Sequence, residues 1–576
     1  MDIQTKIQAG IQNALKALGL SVPEGISGIS LEHPADVANG DYATNVAMAL
    51  AKAAKTNPRE LANRIAEAVR REMIEYVERV EVAGPGFINF YLTKRFFSDE
   101  LALVLKRKDL YGSSNEWRGR KMLVEYTDPN PFKEFHIGHL MSNAIGESIS
   151  RLVASQGAKV RRMCYQGDFG MHVAKALWAV ARDQERMPAK RAPLSERIAF
   201  IGACYVAGSK AYEEDAAAKA EIEAINKKVF EGKDRKLMKL YKLGRKWSLA
   251  HFEDIYEKLG TKFDYYYLES EVAHDGMALV EEYLEKGIFE KSDGAIVFKG
   301  EKYDPKLHTR VFVNSQGIPT YETKELGLNT KKWKKVRPDL SIIITANEQN
   351  DYFRVVLKAL ELIEPEAAKV TQHISHGMLR FVDGKMSSRK GNVITGESLL
   401  SDVEALVHKK LEGREMSDDE KAESALAVAV AAIKYSILRQ ATASDIIYDF
   451  DKSISFEGDS GPYILYTAVR AQSVLDKAKK ERVKAVIDPR AETHPIARHI
   501  ARMPEVVSYA ANEKAPHLVA TFLIELAALF NSWYGNVQIV NKDDAASPHR
   551  VAIAEAARIA LANGAKLLGM TIPERM

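Results

Sequence analysis

Apolar and polar positions change rhythm along this chain, and each rhythm predicts a different element. IQTKIQAGIQNALKALGL places apolar residues at helical spacing and closes on Gly19, which predicts an amphipathic helix with a glycine stop. NPRELANRIAEAVRREM repeats the pattern, with Asn57 placed to cap and Pro58 at the first helical position. VERVEVAGPGFINFYLT reads as two strands around a Gly-Pro-Gly turn. These elements make residues 1–110 a small α+β domain. The polar, glycine-containing YGSSNEWRGRK that follows reads as a linker.

From residue 121 the rhythm becomes strand, helix, strand. KMLVEYT is a short buried strand. GHLMSNAIGESISRLVASQG is a helix with Leu140, Ala144, Ile149, Leu152 and Val153 on one side and Gly157 past its end. AKVRRMCYQGD is the next strand. The same order returns in DLSIIITAN, DYFRVVLKALELI and KVTQHISHG, the first of these being apolar enough for a central parallel strand. A charged insertion at about 175–300, predicted helical, separates the two halves. The fold class expected for residues 118–400 is therefore α/β: a Rossmann-like, doubly wound parallel sheet with insertions. Residues 401–576 read as an α-helical bundle. It includes APHLVATFLIELAALFNSWYGNV and SPHRVAIAEAARIALANGAKLLG, with Ser547 as a candidate cap.

Composition narrows the class rather than the chemistry. A chain of 576 residues exceeds a single core. Lys and Arg total 82 against 78 for Asp and Glu, a net charge of +4. So small an excess does not by itself imply nucleic acid, though a local basic face would. The two cysteines, Cys164 and Cys204, form no CxxC pair, which argues against structural zinc and excludes a disulfide framework. The N-terminus lacks a signal-peptide pattern, and no apolar run is expected to span a bilayer. These features point to a cytoplasmic protein without a membrane partner.

Two stretches carry chemistry. In NPFKEFHIGHLMSNAIG, His136 and His139 flank an Ile-Gly pair. A metal reading would need a third and a fourth ligand, and no HExxH pattern or Cys/His cluster stands nearby. The pair instead follows a βα turn, at the carboxyl end of a strand, where ligands bind in doubly wound sheets. A helix start offers free N–H groups and positive potential to phosphate. Gly138 lets a planar ring or a phosphate approach the backbone. Two surface histidines at a helix start remain the bland alternative. The second stretch, FVDGKMSSRKGNVI, sets Lys385, Arg389 and Lys390 beside Met386, Ser387 and Ser388 between glycines. It would clamp a triphosphate, or it is a solvated basic loop.

An HIGH sequence followed far downstream by a KMSKS-like loop resembles the class I aminoacyl-tRNA synthetases. ADVANGDYATNVAMALAK, NPFKEFHIGH, QGDFG, GKMSSRKG, GDSGPYILYTAVRA, LFNSWYGNV and the terminal PERM are similar to arginyl-tRNA synthetases over nearly the whole chain. The resemblance implies ATP-dependent activation of arginine and its transfer to the 3′ end of arginine tRNA. It also implies Mg²⁺ with ATP and a monomer.

By that resemblance His136, Gly138, His139, Lys385, Met386, Ser387 and Arg389 serve ATP. Ser388 stands where the class usually has a second lysine, and Lys133, just before HIGH, would replace that cation. The arginine pocket would use Glu125, Asn130 and Gln349 at the amino-acid backbone end. Glu269 and Tyr321 would take the guanidinium end, with Glu325 where the family usually has Asp. Tyr463, Tyr466, Tyr534 and Met576 would contact tRNA, with Trp533 a further aromatic candidate. The N-terminal domain would meet the tRNA elbow and the helical C-terminal domain the anticodon. Two alternatives stand beside this reading: a class I synthetase for another basic amino acid, lysine, and a synthetase-like tRNA-binding protein without charging activity.

Overall fold

The computed structural model describes residues 2–20, 29–189, 191–382 and 395–576. They divide into two compact units. One unit comprises Met1–Lys108 with Leu475–Ala501 and Gln538–Ala556. Within Met1–Lys108 the helices are α1 (Ile3–Ala17), α2 (Val46–Ala51), α3 (Pro58–Arg71) and α4 (Lys94–Arg107), and the strands are β1 (Tyr42–Thr44), β2 (Val77–Ala83) and β3 (Phe87–Leu92). The Asn57 side chain accepts from the amides of Arg59 and Glu60, and Pro58 opens α3. The sheet is antiparallel in the order β1-β3-β2. Ile7, Ile11, Leu61, Ile65, Ile88 and Phe90 are fully buried in its core.

The other unit holds a five-stranded parallel sheet. In chain order it runs β4 (Lys121–Glu125), α5 (Ile137–Ser155), β5 (Lys159–Gln166), α6 (Met171–Arg182), α7 (Leu194–Glu214), α8 (Ala216–Glu231), α9 (Arg235–Lys258), β6 (Tyr265–Leu268) and α10 (Glu269–Glu285). The strands β7 (Glu290–Ser292), β8 (Ala295–Lys299) and β9 (Thr309–Val313) follow, then α11 (Tyr321–Val336), β10 (Leu340–Ala346), α12 (Asn350–Ile363) and β11 (Thr371–His376). The sheet order is β11-β10-β4-β5-β6, all parallel. The winding reverses between β4 and β10, so their carboxyl ends frame the crevice where doubly wound sheets bind ligands. Ile342, Ile343 and Ile344 of β10 are fully buried beside Leu123 and Val124 of β4.

Several expectations change. The insertion is helical only as far as Lys258; β6 then joins the central sheet, and β7, β8 and β9 form an antiparallel sheet of their own. Helix α5 is buried on all sides, including Ser142, Asn143, Glu147 and Ser150, rather than along one apolar stripe. It runs under the sheet's switch point, so even its polar residues lack solvent. Ser547 does not act as a simple cap: its hydroxyl bonds back to the Ile539 carbonyl and the Asn541 amide. The helix Pro516–Asn536 has the length and mean hydropathy (1.3) of a membrane span, contrary to the expectation that no run does. Its apolar residues Val519, Leu523, Leu526 and Phe530 are fully buried, the pattern of a core helix.

Candidate functional site

The site is built on a strained turn. After Glu125 at the end of β4, Thr127, Asp128 and Phe132 adopt positive φ (82°, 46° and 68°), a costly conformation for side chains with a Cβ. Buried hydrogen bonds hold the turn. The Ser142 hydroxyl accepts from the Thr127 amide and donates to the Ile344 carbonyl, both at 3.0 Å. The Asn143 amide donates to the Thr127 hydroxyl at 3.0 Å. The Asp128 carboxylate accepts from the Tyr165 amide at 2.7 Å. The polar residues that α5 buries are thus the ones that fix the turn between β4 and β10.

His136 precedes α5 and His139 lies in its first turn; their rings stack with centroids 3.4 Å apart. The His136 amide donates to Nδ1 of His139 at 3.3 Å, which leaves the His139 ring proton on Nε2. Loss of hydration and then the nearby Lys133 charge push the His136 pKa down to about 4. Burial, then His136 and Lys133, hold the His139 pKa well below its usual value. Both rings are neutral at pH 7 and offer N–H groups, not charge. A Cβ on Gly138 would lie 3.1 Å from the His136 ring, so the glycine keeps that ring in place. Lys133 is the cation of this loop, its Nζ 5.6 Å from the Tyr205 ring centroid. The loop is seated against α9: the Phe132 amide donates to Ser248 at 3.0 Å, and Gly244 makes room for the Phe132 ring.

Lys385, Met386, Ser387, Ser388, Arg389 and Lys390 lie outside the described residues. The first described residue beyond them, Thr395, pairs with His136, and the Gly396 amide donates to the Phe135 carbonyl at 2.8 Å.

Beside the histidine turn lies a buried acidic group. Helices α10 and α11 cross at Gly276 and Gly327, where any Cβ would strike the opposite backbone at 2.0 and 2.4 Å. That close approach brings Glu269, at the start of α10, against the first turn of α11. Glu269 is ion-paired with Lys324, and Glu125 with Lys332 at 2.6 Å; all four side chains are at most 5% exposed. Glu325 is also buried, and Asn329 donates to its Oε1 at 2.8 Å. Among the described residues no cation stands within ion-pair distance of Glu325. Burial and then the Glu125 charge push its pKa up to about 7. The Tyr165 hydroxyl is buried without a hydrogen-bond partner; its pKa is raised by burial, then by Glu269 and Glu325. Asn130 and Glu269 meet at Gly167, where a Cβ would lie 2.1 Å from Asn130 Oδ1 and 3.2 Å from Glu269 Oε1. Tyr321 opens α11 at the edge of this group, 56% exposed. Gln349 is exposed just past the carboxyl end of β10.

The fold therefore gathers Glu125, Asn130, Glu269, Tyr321 and Glu325 around one crevice and sets Gln349 at its strand end. Sequence reasoning missed Asp128, Tyr165, Gly167, Asp168, Lys324 and Lys332. Asp168 is fully buried and accepts from Tyr241 (2.6 Å), Arg245 (2.8 Å) and Ser270 (2.7 Å), which pins α9 to the start of α10. A signal for the α11 pair was present: at 100° per residue, positions 321, 324, 325, 328 and 332 share one helix face. Two lysines there sit with a tyrosine and a leucine, an unusual composition for a solvated face.

A second feature of this unit is a cavity of about 300 Å³ lined by Lys410, Arg414, Tyr463, Tyr466, Arg470 and Met576, among others. The Arg470 guanidinium lies 4.5 Å from the Tyr466 ring centroid and 4.9 Å from that of Tyr534. Asn531 accepts from it and donates to Thr467 at 2.6 Å. Aromatic faces beside fixed cations suit unstacked bases and their phosphates. Trp533 is buried and does not join that surface.

Three family descriptions match the chain: "Arginyl tRNA synthetase N terminal domain" over residues 5–92, "tRNA synthetases class I (R), catalytic domain" over 100–450, and "DALR anticodon binding domain" over 464–576. It is 31% identical to an arginine–tRNA ligase of Clostridium perfringens, covering 95% of this chain and 96% of the relative. It is 33% identical to one of Fusobacterium nucleatum, covering 93% of each. The solved arginyl-tRNA synthetase of Thermus thermophilus shares the fold with a TM-score of 0.80 at 24% identity over 99% of both chains.

Proposed function

Since the chain belongs to the arginyl-tRNA synthetase family, we propose that it is an arginine–tRNA ligase with ATP, arginine and arginine tRNA as substrates. The observation that carries this reading is the buried acidic crevice beside the histidine turn, with Glu325 bonded to Asn329 but without an ion pair among the described residues, and with the Tyr165 hydroxyl unsatisfied. A guanidinium offers five donors in a plane and stays charged. It would ionise Glu325 and satisfy the orphaned hydroxyl, while Glu125, Asn130 and Gln349 hold the amino-acid backbone end.

ATP enters as its Mg²⁺ complex. The arginine carboxylate attacks the α-phosphorus in line, a P–O bond forms, and pyrophosphate leaves with the electrons of the broken bond. No covalent enzyme intermediate is needed, so positioning and positive charge supply the acceleration. The neutral His136 and His139 donate hydrogen bonds to phosphate oxygens. Lys133, with Lys385, Met386, Ser387 and Arg389 of the downstream loop, completes the ATP contacts and supplies the charge those histidines do not carry. A hydroxyl of the ribose at the tRNA 3′ end then attacks the adenylate carbonyl, and AMP leaves. Tyr463, Tyr466, Tyr534 and Met576 contact the tRNA, with Arg470 holding Tyr466 and Tyr534. The enzyme works as a cytoplasmic monomer.

ATP–pyrophosphate exchange, run with tRNA present and each amino acid in turn, tests the reading. Exchange with arginine alone is expected. Exchange with lysine would favour the neighbouring specificity, and RNA binding without exchange or charging would make the protein a binding module.

A further inference from the structure

The cation seat of the crevice already holds a cation. Lys324 is 4% exposed, and its Nζ makes an ion pair with Oε2 of Glu269. The same Nζ lies 4.2 Å from the Tyr321 ring centroid and 5.3 Å from that of Phe169. A carboxylate and two aromatic faces form the box that a compact ammonium prefers. The other oxygen of Glu269, Oε1, faces the Gly167 and Asn130 cradle. Glu325, one residue on, has Asn329 but no cation as a partner among the described residues.

We propose that Lys324 is a specificity-determining residue: it fills the compact-cation seat on Glu269 and leaves only Glu269 Oε1 and Glu325 for the ligand. This rests on the arginine reading of the crevice. A guanidinium spreads its charge over a plane and can bridge two carboxylates. A lysine or ornithine ammonium is a point charge that would seek the seat Lys324 holds. Placed on Oε1 instead, it would stand against the resident ammonium at short range in a site with little water. Lys324 is thus a built-in repulsive element against short cations, and it selects by exclusion while the free carboxylates select by fit.

The test compares wild type, Lys324→Met and Lys324→Arg. Arginine KM is measured by ATP–pyrophosphate exchange with tRNA, and Ki for lysine and ornithine as competitors. In Lys324→Met the ratio of lysine Ki to arginine KM is expected to fall by about tenfold or more, with the same trend for ornithine. Lys324→Arg, which keeps a cation on Glu269, is expected to hold the ratio near the wild-type value. A folded Lys324→Met enzyme with an unchanged ratio overturns the inference. So does an equal gain for arginine and lysine, because that would make Lys324 a placeholder displaced by every ligand. Should Lys324→Met not fold, an arginine-bound structure of the wild type decides. Lys324 still on Glu269, with the guanidinium reaching Glu325, supports the proposal; Lys324 displaced overturns it. Wild-type exchange separates the two levels. Its absence with arginine removes the functional reading and this inference together, whereas arginine exchange with an unchanged ratio removes this inference alone.

Discussion

Replacing Glu325 by glutamine separates the cost of the crevice from its use. The change is nearly isosteric, and the glutamine Oε1 can still accept from Asn329, now at 2.8 Å from Glu325. In the free protein the Glu325 pKa rises from 4.5 to about 7, because the carboxylate is buried beside Glu125. A pKa raised in the folded state means that the native protein holds a proton the unfolded chain has lost. Stability therefore falls as pH rises from about 4.5 to about 7, and the full cost stands above pH 7. A rise of about 2.5 units at 1.36 kcal/mol each corresponds to roughly 3 kcal/mol. At pH 8, ligand-free Glu325→Gln is expected to be more stable by up to that amount, with the gain vanishing towards pH 4.5. Its arginine KM is expected to rise roughly 10- to 100-fold, the loss of one charged hydrogen bond. Wild-type arginine affinity should climb between about pH 6 and pH 8 as Glu325 ionises, and the variant should lack that climb. Urea unfolding at pH 5 and pH 8, with exchange kinetics across the same range, measures all of this. A variant destabilised equally at both pH values, or one with wild-type arginine KM, would refute the reasoning.

Further outcomes follow from the same geometry. Lys133→Ala should lower the rate of adenylate formation by roughly a hundredfold with a smaller effect on arginine KM; unchanged exchange kinetics would show that its charge is not used. Gly167→Ala forces a Cβ to 2.1 Å from Asn130 Oδ1, so arginine KM should rise by about tenfold or more while far-ultraviolet circular dichroism stays native. Arg470→Ala frees Tyr466 and Tyr534 and should weaken tRNA binding by roughly tenfold in a filter or fluorescence assay. Its arginine KM at saturating tRNA should be unchanged.

Strong local periodicity made much of the fold legible. The two βαβ halves, the antiparallel pair around Gly84–Gly86 and the long C-terminal helices all announce themselves through spacing and turn residues. The short strands Glu290–Ser292 and Ala295–Lys299 did not, because charged residues interrupt their alternation and only the hairpin pairing explains them. At the site, the histidines and the carboxylates could be located from motifs, but their states could not. That His136 and His139 are neutral depends on burial and on Lys133, which become neighbours only through the turn. That Lys324 already occupies Glu269 depends on the Gly276–Gly327 crossing, and that Lys332 occupies Glu125 depends on α11 packing against β4; neither tertiary contact is visible in one element alone. Arg470 escaped notice for the same reason, since its tyrosine partners come from two helices.

The most direct measurement is aminoacylation itself: purified protein, ATP, Mg²⁺ and arginine tRNA, with labelled arginine or labelled lysine. The account predicts arginine, and not lysine, esterified to the tRNA 3′ end. Charging with lysine, or tRNA that binds and is never charged, would contradict it.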